Sequence, residues 1–312
     1  MKKRYYILMS ILGLMYHSQL EAQLRVQRAM FSQYQFNPLA INPAYSACDE
    51  QARITALTRH QWVGFEGAPQ TQTLSSYLTL NNEKTSVGAM LIHDQVGVEN
   101  EQALFLSLAQ KVQLSSKGYL AAGFSTGIGY YLGDYGTLPD PNLPPDPVFV
   151  NQSSWRSNLG LGLMYYDDRW EAGISVPYLV KFDVGTSNST TSIKPLRSDY
   201  FLMANYRFNA NNYLKLKPAL LVKYTAGVPL QFDVNMNAYF EEKGLWVGLG
   251  YRSNAAVMAM FQVKLTDRMQ LGYAHDFMTD ISLKHQMGTH EVMLNYRFRT
   301  GKKPYKTNDF RF

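Results

Sequence analysis

The chain has 312 residues and a formal net charge of +6, but its Lys and Arg are scattered rather than gathered on one segment, which argues against a nucleic-acid-binding face. A single cysteine, Cys48, excludes an intramolecular disulfide framework and a cysteine-built metal site. Aromatics reach 13%, yet after residue 16 no run approaches the roughly 18 apolar residues a spanning helix needs.

Residues 1–22 read as a signal peptide. Met1-Lys2-Lys3-Arg4 is the positive start, Tyr5 to Tyr16 the apolar stretch, and Leu20-Glu21-Ala22 a small-residue cleavage site before Gln23. A membrane anchor would need a longer apolar run. Residues 23–51 follow without regular alternation. Their two Asn-Pro steps, Asn37-Pro38 and Asn42-Pro43, favour turns and extended backbone. Phe31, Tyr34, Phe36 and Tyr45 are more aromatics than a flexible leader carries.

From residue 52 the dominant period is two, the mark of strands whose faces meet different surroundings. At 231–240, Phe232, Val234, Met236, Ala238 and Phe240 alternate with Gln231, Asp233, Asn235, Asn237 and Tyr239. At 214–224 one face carries Lys215, Lys217 and Lys223, which want water rather than a dry core. Such segments lie near 52–60, 71–80, 85–93, 102–114, 117–131, 157–166, 169–176, 198–208, 212–225, 230–240, 244–252, 255–266, 268–277 and 288–299. They total about fourteen, an even number as bacterial single-chain barrels require. Many run to about ten residues, matched to a tilted membrane crossing.

The connections form two sets. Tight polar turns, such as Asp167-Asp168-Arg169 and Thr266-Asp267-Arg268, alternate with longer segments, above all 132–156 and 177–197, although Ser253-Asn254 is short where a long loop is expected. Short turns on one side and long loops on the other match the periplasmic and extracellular ends of an outer-membrane barrel. Aromatics gather near strand ends, at Tyr130 and Tyr131, Tyr165 and Tyr166, Trp170, Tyr206 and Phe208, Trp246, Tyr251, Tyr296 and Phe298, as interfacial girdles would.

The fold class that follows is all-β: an outer-membrane antiparallel β-barrel of about fourteen strands over 52–299, with both termini periplasmic and 300–312 a periplasmic tail. A lumen of that width must be filled or left as a channel. Residues 23–51 are therefore expected to act as a plug or docking segment. No catalytic, cofactor or metal site is read. His93-Asp94 and His275-Asp276 pair adjacent residues, which point to opposite faces of a strand and make no dyad. The six histidines show no metal-ligand spacing. As an alternative, Lys215, Lys217, Lys223, Lys264, Arg207, Arg252 and Arg297 would line the lumen of an anion-selective porin.

Three motifs carry a family resemblance: Phe31-Ser32-Gln33-Tyr34-Gln35-Phe36-Asn37-Pro38, Asn42-Pro43-Ala44-Tyr45, and Arg59-His60-Gln61-Trp62-Val63-Gly64-Phe65-Glu66-Gly67-Ala68-Pro69-Gln70-Thr71. Together with Gly250-Tyr251-Arg252-Ser253 and His290-Glu291, they resemble the type IX secretion system membrane protein family PorP/SprF of Bacteroidota. Cys48 and His60 stand where Gly and Asn are expected. The resemblance implies a non-enzymatic barrel in the outer-membrane lipid that serves type IX secretion or gliding motility. Its expected partners are a secreted effector or adhesin with a C-terminal sorting domain, other type IX components, and a peptidoglycan-binding periplasmic protein. Partner-binding or plug residues would be Phe31, Tyr34, Phe36, Asn37, Pro38, Asn42, Pro43, Tyr45, Trp62, Gly64, Phe65, Gly67 and Pro69.

Overall fold

Alternating apolar and polar residues pay out as strands that turn their apolar face to the outside. The computed structural model describes residues 30–49, 51–80, 84–138, 149–184, 198–253, 255–279 and 287–298. The expected signal peptide, residues 23–29 of the expected plug segment, 139–148 and 185–197 of the two long loops, and the tail from 300 lie outside these residues.

The strands are β1 (Ala52–His60), β2 (Gln70–Thr79), β3 (Thr85–Val96), β4 (Glu99–Gln113), β5 (Tyr119–Gly133), β6 (Gln152–Tyr166) and β7 (Trp170–Val184). They continue as β8 (Asp199–Tyr206), β9 (Phe208–Asn209), β10 (Leu214–Thr225), β11 (Gln231–Phe240), β12 (Leu245–Arg252), β13 (Ala256–Lys264), β14 (Met269–Met278) and β15 (Thr289–Phe298). Both β8 and β9 pair with β10, so they form one wall strand interrupted at Arg207, and the ring has fourteen strands. Every pairing is antiparallel between neighbours. The β1–β15 pairing, with Arg59 opposite Glu291, joins first strand to last and closes the ring. Closure leaves no sheet edge unpaired, the condition for a sheet to stand in lipid.

Burial runs opposite to that of a water-soluble sheet. On β11, Phe232, Val234 and Met236 are exposed while Asp233, Asn235 and Asn237 are buried. Leu106 and Leu249 are likewise exposed, whereas Arg53, Lys217 and Glu291 are buried inside the ring. Outward-facing aromatics ring both ends: Tyr130 with Trp155 and Tyr200 with Tyr224 toward the long loops, Trp170 with the half-buried Tyr206 and the half-buried Tyr296 with Phe298 toward the tight turns. Three of the expected girdle residues face inward instead; one is Tyr131, whose ring lies 3.8 Å from the Arg156 guanidinium. Trp246 stacks on Tyr239 and Tyr166 on Tyr119, both within the lumen. Adjacent residues point to opposite faces, so only one of each consecutive aromatic pair can meet lipid.

Strands β4 to β7 have 15 residues each, longer than their neighbours. The segments 132–156 and 177–197, expected as loops, therefore give up Leu132-Gly133, Gln152–Arg156 and Pro177–Val184 to strands. The register between β6 and β7 shifts between Leu159 and Leu161, opposite Pro177, which cannot donate to the ladder. A second short link on the long-loop side, Gly97-Val98, was not expected; Gly97 adopts a φ of 56° there. On the tight-turn side Asp167 accepts the amides of Arg169 and Trp170, both at 2.7 Å. Partial burial opposes its charge, but these amides outweigh it and hold the carboxyl below its usual range.

This inverted polarity yields a first prediction. Leu249, 65% exposed in the middle of β12, meets hydrocarbon in the membrane. Leu249→Arg is expected to lower the unfolding free energy in lipid vesicles by about 2–4 kcal/mol, read by denaturant titration. An unchanged midpoint would mean that this face does not meet lipid.

Candidate functional site

Residues 30–49 lie inside the ring, in contact with the inward faces of its strands. Of the expected site residues, Phe31, Tyr34, Phe36, Asn37, Pro38, Asn42, Pro43 and Tyr45 are all buried there. The Asn-Pro steps do not remain extended. Each proline opens a short 3-10 helix, Pro38–Ala40 and Pro43–Ala47, because its fixed φ suits the first helical position. Asn42 stays extended and caps the second with its side chain, which accepts the Ala44 amide at 2.9 Å.

The segment is held by polar contacts along its length. At the long-loop end the Glu291 carboxylate accepts the backbone amides of Ser32 and Gln33, at 3.0 and 2.8 Å. The Ser32 hydroxyl donates to Asp276 at 2.6 Å and accepts from Arg59 at 3.1 Å. Arg59 pairs with Asp276 at 2.7 Å and Glu291 at 3.1 Å, and Arg252 pairs with Asp233 at 2.8 Å while reaching the Met30 carbonyl. In this knot two guanidinium groups face three carboxylates, and the Ser32 and Gln33 amides supply further positive poles. Midway, Asn37 donates to Thr73 and accepts from Ser75. Lower down, the Asn42 amide donates to the carbonyls of Leu163 and Ile174, and Ser175 donates to Ile41. At the tight-turn end Asp49 binds Arg53 at 2.9 Å and accepts from Tyr77 at 3.0 Å, while Tyr166 donates to the Ala47 carbonyl.

The wall is shaped to receive this segment. A Cβ on Gly123 would lie 2.3 to 2.5 Å from backbone atoms of Pro43 and Ala44, so only glycine admits so close an approach.

The other expected site residues form a separate group. Trp62, Gly64, Phe65, Gly67 and Pro69 sit in the β1–β2 loop on the rim, with Phe65 49% exposed. This loop is tied down on two sides. The Val63 amide donates to Gly288, the Met287 amide returns to Val63, and the Gly97 amide donates to Gly67. Trp62 adopts a φ of 48°, a left-handed conformation that costs a non-glycine residue on the order of 1 kcal/mol or more. The structure therefore brings together the lumen set and, apart from it, the rim set.

Sequence reasoning passed over the charged knot. Arg59, Asp276 and Glu291 lie 15 or more residues apart and meet only through strand register. The alternation did place Arg252, Lys217 and Lys223 inside, but not their partners: Lys217 meets Glu171 at 3.3 Å and Lys223 meets Asp199 at 3.7 Å. Lys215 pairs with Glu241, Arg207 with Glu171, and Lys264 with Asp267 in a turn. Asp276 faces the lumen while His275 faces outward and contacts the Met287 carbonyl, so the two do diverge. Among the described residues no group of three His, Cys, Asp or Glu is arranged to hold a metal ion.

Apolar outside, charged inside, closed by hydrogen bonds and ringed by aromatics at both ends, this fold is that of an outer-membrane β-barrel. The family model for the type IX secretion system membrane protein PorP/SprF matches residues 23–296. The chain belongs to that family. No curated protein matches the sequence. Solved structures of similar course include the Ralstonia pickettii toluene transporter TbuX, at 10% identity and a TM-score of 0.48, covering 85% of this chain and 94% of that one. They also include the CymD monoaromatic hydrocarbon channel, at 12% and 0.47, covering 84% and 91%. The KdgM porin aligns at 11% and 0.40, covering 79% and 99%.

Removing Arg59 leaves Asp276 and Glu291 buried without their shared cation. Arg59→Met is expected to cost about 3–5 kcal/mol of stability, the scale for breaking a buried ion pair from one side. Denaturant unfolding in detergent or lipid reads this directly, and a loss below about 1 kcal/mol, the scale of a surface pair, would contradict the assignment.

Proposed function

We propose that this protein is a non-enzymatic binding component of the type IX secretion outer membrane, with its lumen plugged by its own N-terminal segment. The carrying observation is the burial of residues 30–49 against the inner wall, anchored by charged groups at one end and by Asp49 at the other. Inward-facing lysines and arginines that already meet carboxylates offer a poor path for anions.

On this reading the long loops face the cell exterior and the tight turns the periplasm. The rim loop, with Trp62 and Phe65, engages a secreted effector or adhesin carrying a C-terminal sorting domain. The turn face and the C-terminal tail meet periplasmic secretion machinery, including a peptidoglycan-binding protein. Aromatic side chains suit the first role because they supply large contact area at low entropic cost. Membership of the family supports the assignment to secretion.

Affinity isolation from native outer membranes, followed by mass spectrometry, tests the reading. Type IX components and a sorting-domain protein are expected with the wild type, with the sorting-domain protein lost in a Trp62→Ala/Phe65→Ala variant that still assembles. In planar bilayers the wild type is expected to be silent, and Gly123→Val, which displaces Pro43 and Ala44, to conduct. A wild-type barrel recovered alone and conducting ions would favour a passive porin instead.

A further inference from the structure

His275 and His290 stand directly opposite each other on β14 and β15, on the outward face near the long-loop end, amid the exposed Leu271, Phe277, Val292 and Leu294. Their ring centroids lie 4.6 Å apart. Both Nε2 atoms reach the same oxygen: the Met287 carbonyl accepts from His275 at 3.0 Å and from His290 at 3.2 Å. A carbonyl has no proton to give, so each Nε2 carries one, and the Nδ1 of neutral His290 accepts the Tyr273 hydroxyl at 2.7 Å. Gly288 makes room for this arrangement. It holds a left-handed φ of 85°, and a Cβ there would lie 2.5 Å from the His275 Nε2. Met287 is 68% exposed, so the converging atoms are open on one side.

We propose that His275, His290 and the Met287 carbonyl form a binding site for one divalent transition-metal ion of the class that imidazole prefers, Zn²⁺ being representative. Three lone-pair atoms converge there with only protons between them. A cation can take the place of those protons, whereas an anion such as a phosphate would be repelled by the carbonyl oxygen. On binding, each neutral imidazole keeps its proton but carries it on Nδ1, which frees Nε2 to approach the metal at about 2.0–2.1 Å. The Nδ1–H of His290 then donates to the Tyr273 oxygen, so Tyr273 orients this ligand in both states. No third His, Cys, Asp or Glu joins the pair among the described residues, so water completes the shell. His60, opposite His290 on β1, is engaged with Thr58 instead. The ion also acts on the rim. The Met287 amide donates to Val63 and the Gly288 carbonyl accepts from it, so a metal on the Met287 carbonyl braces the Trp62–Pro69 loop against β14 and β15. Spacing along the chain hides the site, because register alone brings the two imidazoles together.

Isothermal calorimetry on the untagged barrel in detergent, with Zn²⁺ alone and Mg²⁺ in a parallel run, tests the site. Zn²⁺ is expected to bind the wild type, and to bind His275→Gln and His290→Gln at least about tenfold more weakly, since losing a ligand costs no less than losing its outer partner. Glutamine keeps an N–H for the Met287 carbonyl, so the loop retains its anchor. His93→Ala, on β3, is expected to keep the wild-type affinity, and Mg²⁺, which takes oxygen ligands, to give no comparable binding. Should either Gln variant fail to assemble, as read by heat-modifiable gel mobility, diethyl pyrocarbonate footprinting of the wild type decides, with Zn²⁺ expected to shield His275 and His290 and Mg²⁺ neither. Absence of Zn²⁺ binding, equal affinity in the Gln variants, or an equal loss in His93→Ala overturns the site. So does undiminished modification of the two histidines with Zn²⁺ present.

Discussion

Arg59 carries the constraint on which the rest of this structure depends. It sits on β1, and its two partners, Glu291 and Asp276, sit on β15 and β14 across the seam where the barrel closes. The same carboxylates hold Ser32 and Gln33. One guanidinium thus couples closure of the ring to placement of the N-terminal segment. Each carboxylate taken out of water needs both a cation and further donors to be tolerated, and here the donors come from the segment. Ring and segment thus share these groups: without the segment, Glu291 would lose the Ser32 and Gln33 amides and Asp276 the Ser32 hydroxyl.

The inverted polarity of the wall explains why this coupling exists. Lipid demands an apolar exterior, so the charges are turned inward, where they must be answered by one another or by the chain itself. Glu171 with Lys217 and Asp199 with Lys223 answer each other across the wall. Around the knot the segment contributes, and Gly123 marks where the wall has been cut back to let it pass. On the proposed reading, a lumen lined in this way holds residues 30–49, and partner binding falls to the two mouths.

Much of the wall was legible in the sequence because period two is a local property. β1 occupies the expected 52–60, and the strands from β10 to β15 fall within two residues of their expected bounds. The errors have local causes too. Pro177 and the start of β6 at Gln152, Ser153 and Ser154 read as loop, yet a bulge absorbs the proline and the ladder continues past it. Tyr131, Tyr166 and Trp246 were assigned to girdles by proximity to strand ends, where parity was the better guide. The motif residues Asn37, Asn42 and Tyr45 stood out by composition and are buried together, but the knot that anchors their segment was not visible. Arg59, Asp276 and Glu291 come from three strands, and register alone brings them together.

Hydrogen exchange at the backbone amides of Ser32 and Gln33, in the purified protein reconstituted in lipid, tests the coupling of segment and ring most directly. These two amides end on the Glu291 carboxylate rather than in any sheet ladder. The account predicts that they exchange as slowly as the ladder amides of β15, and that Arg59→Met speeds both together. Exchange as fast as that of the exposed link at 226–230 would show that the segment is not held in the lumen, and would contradict the account.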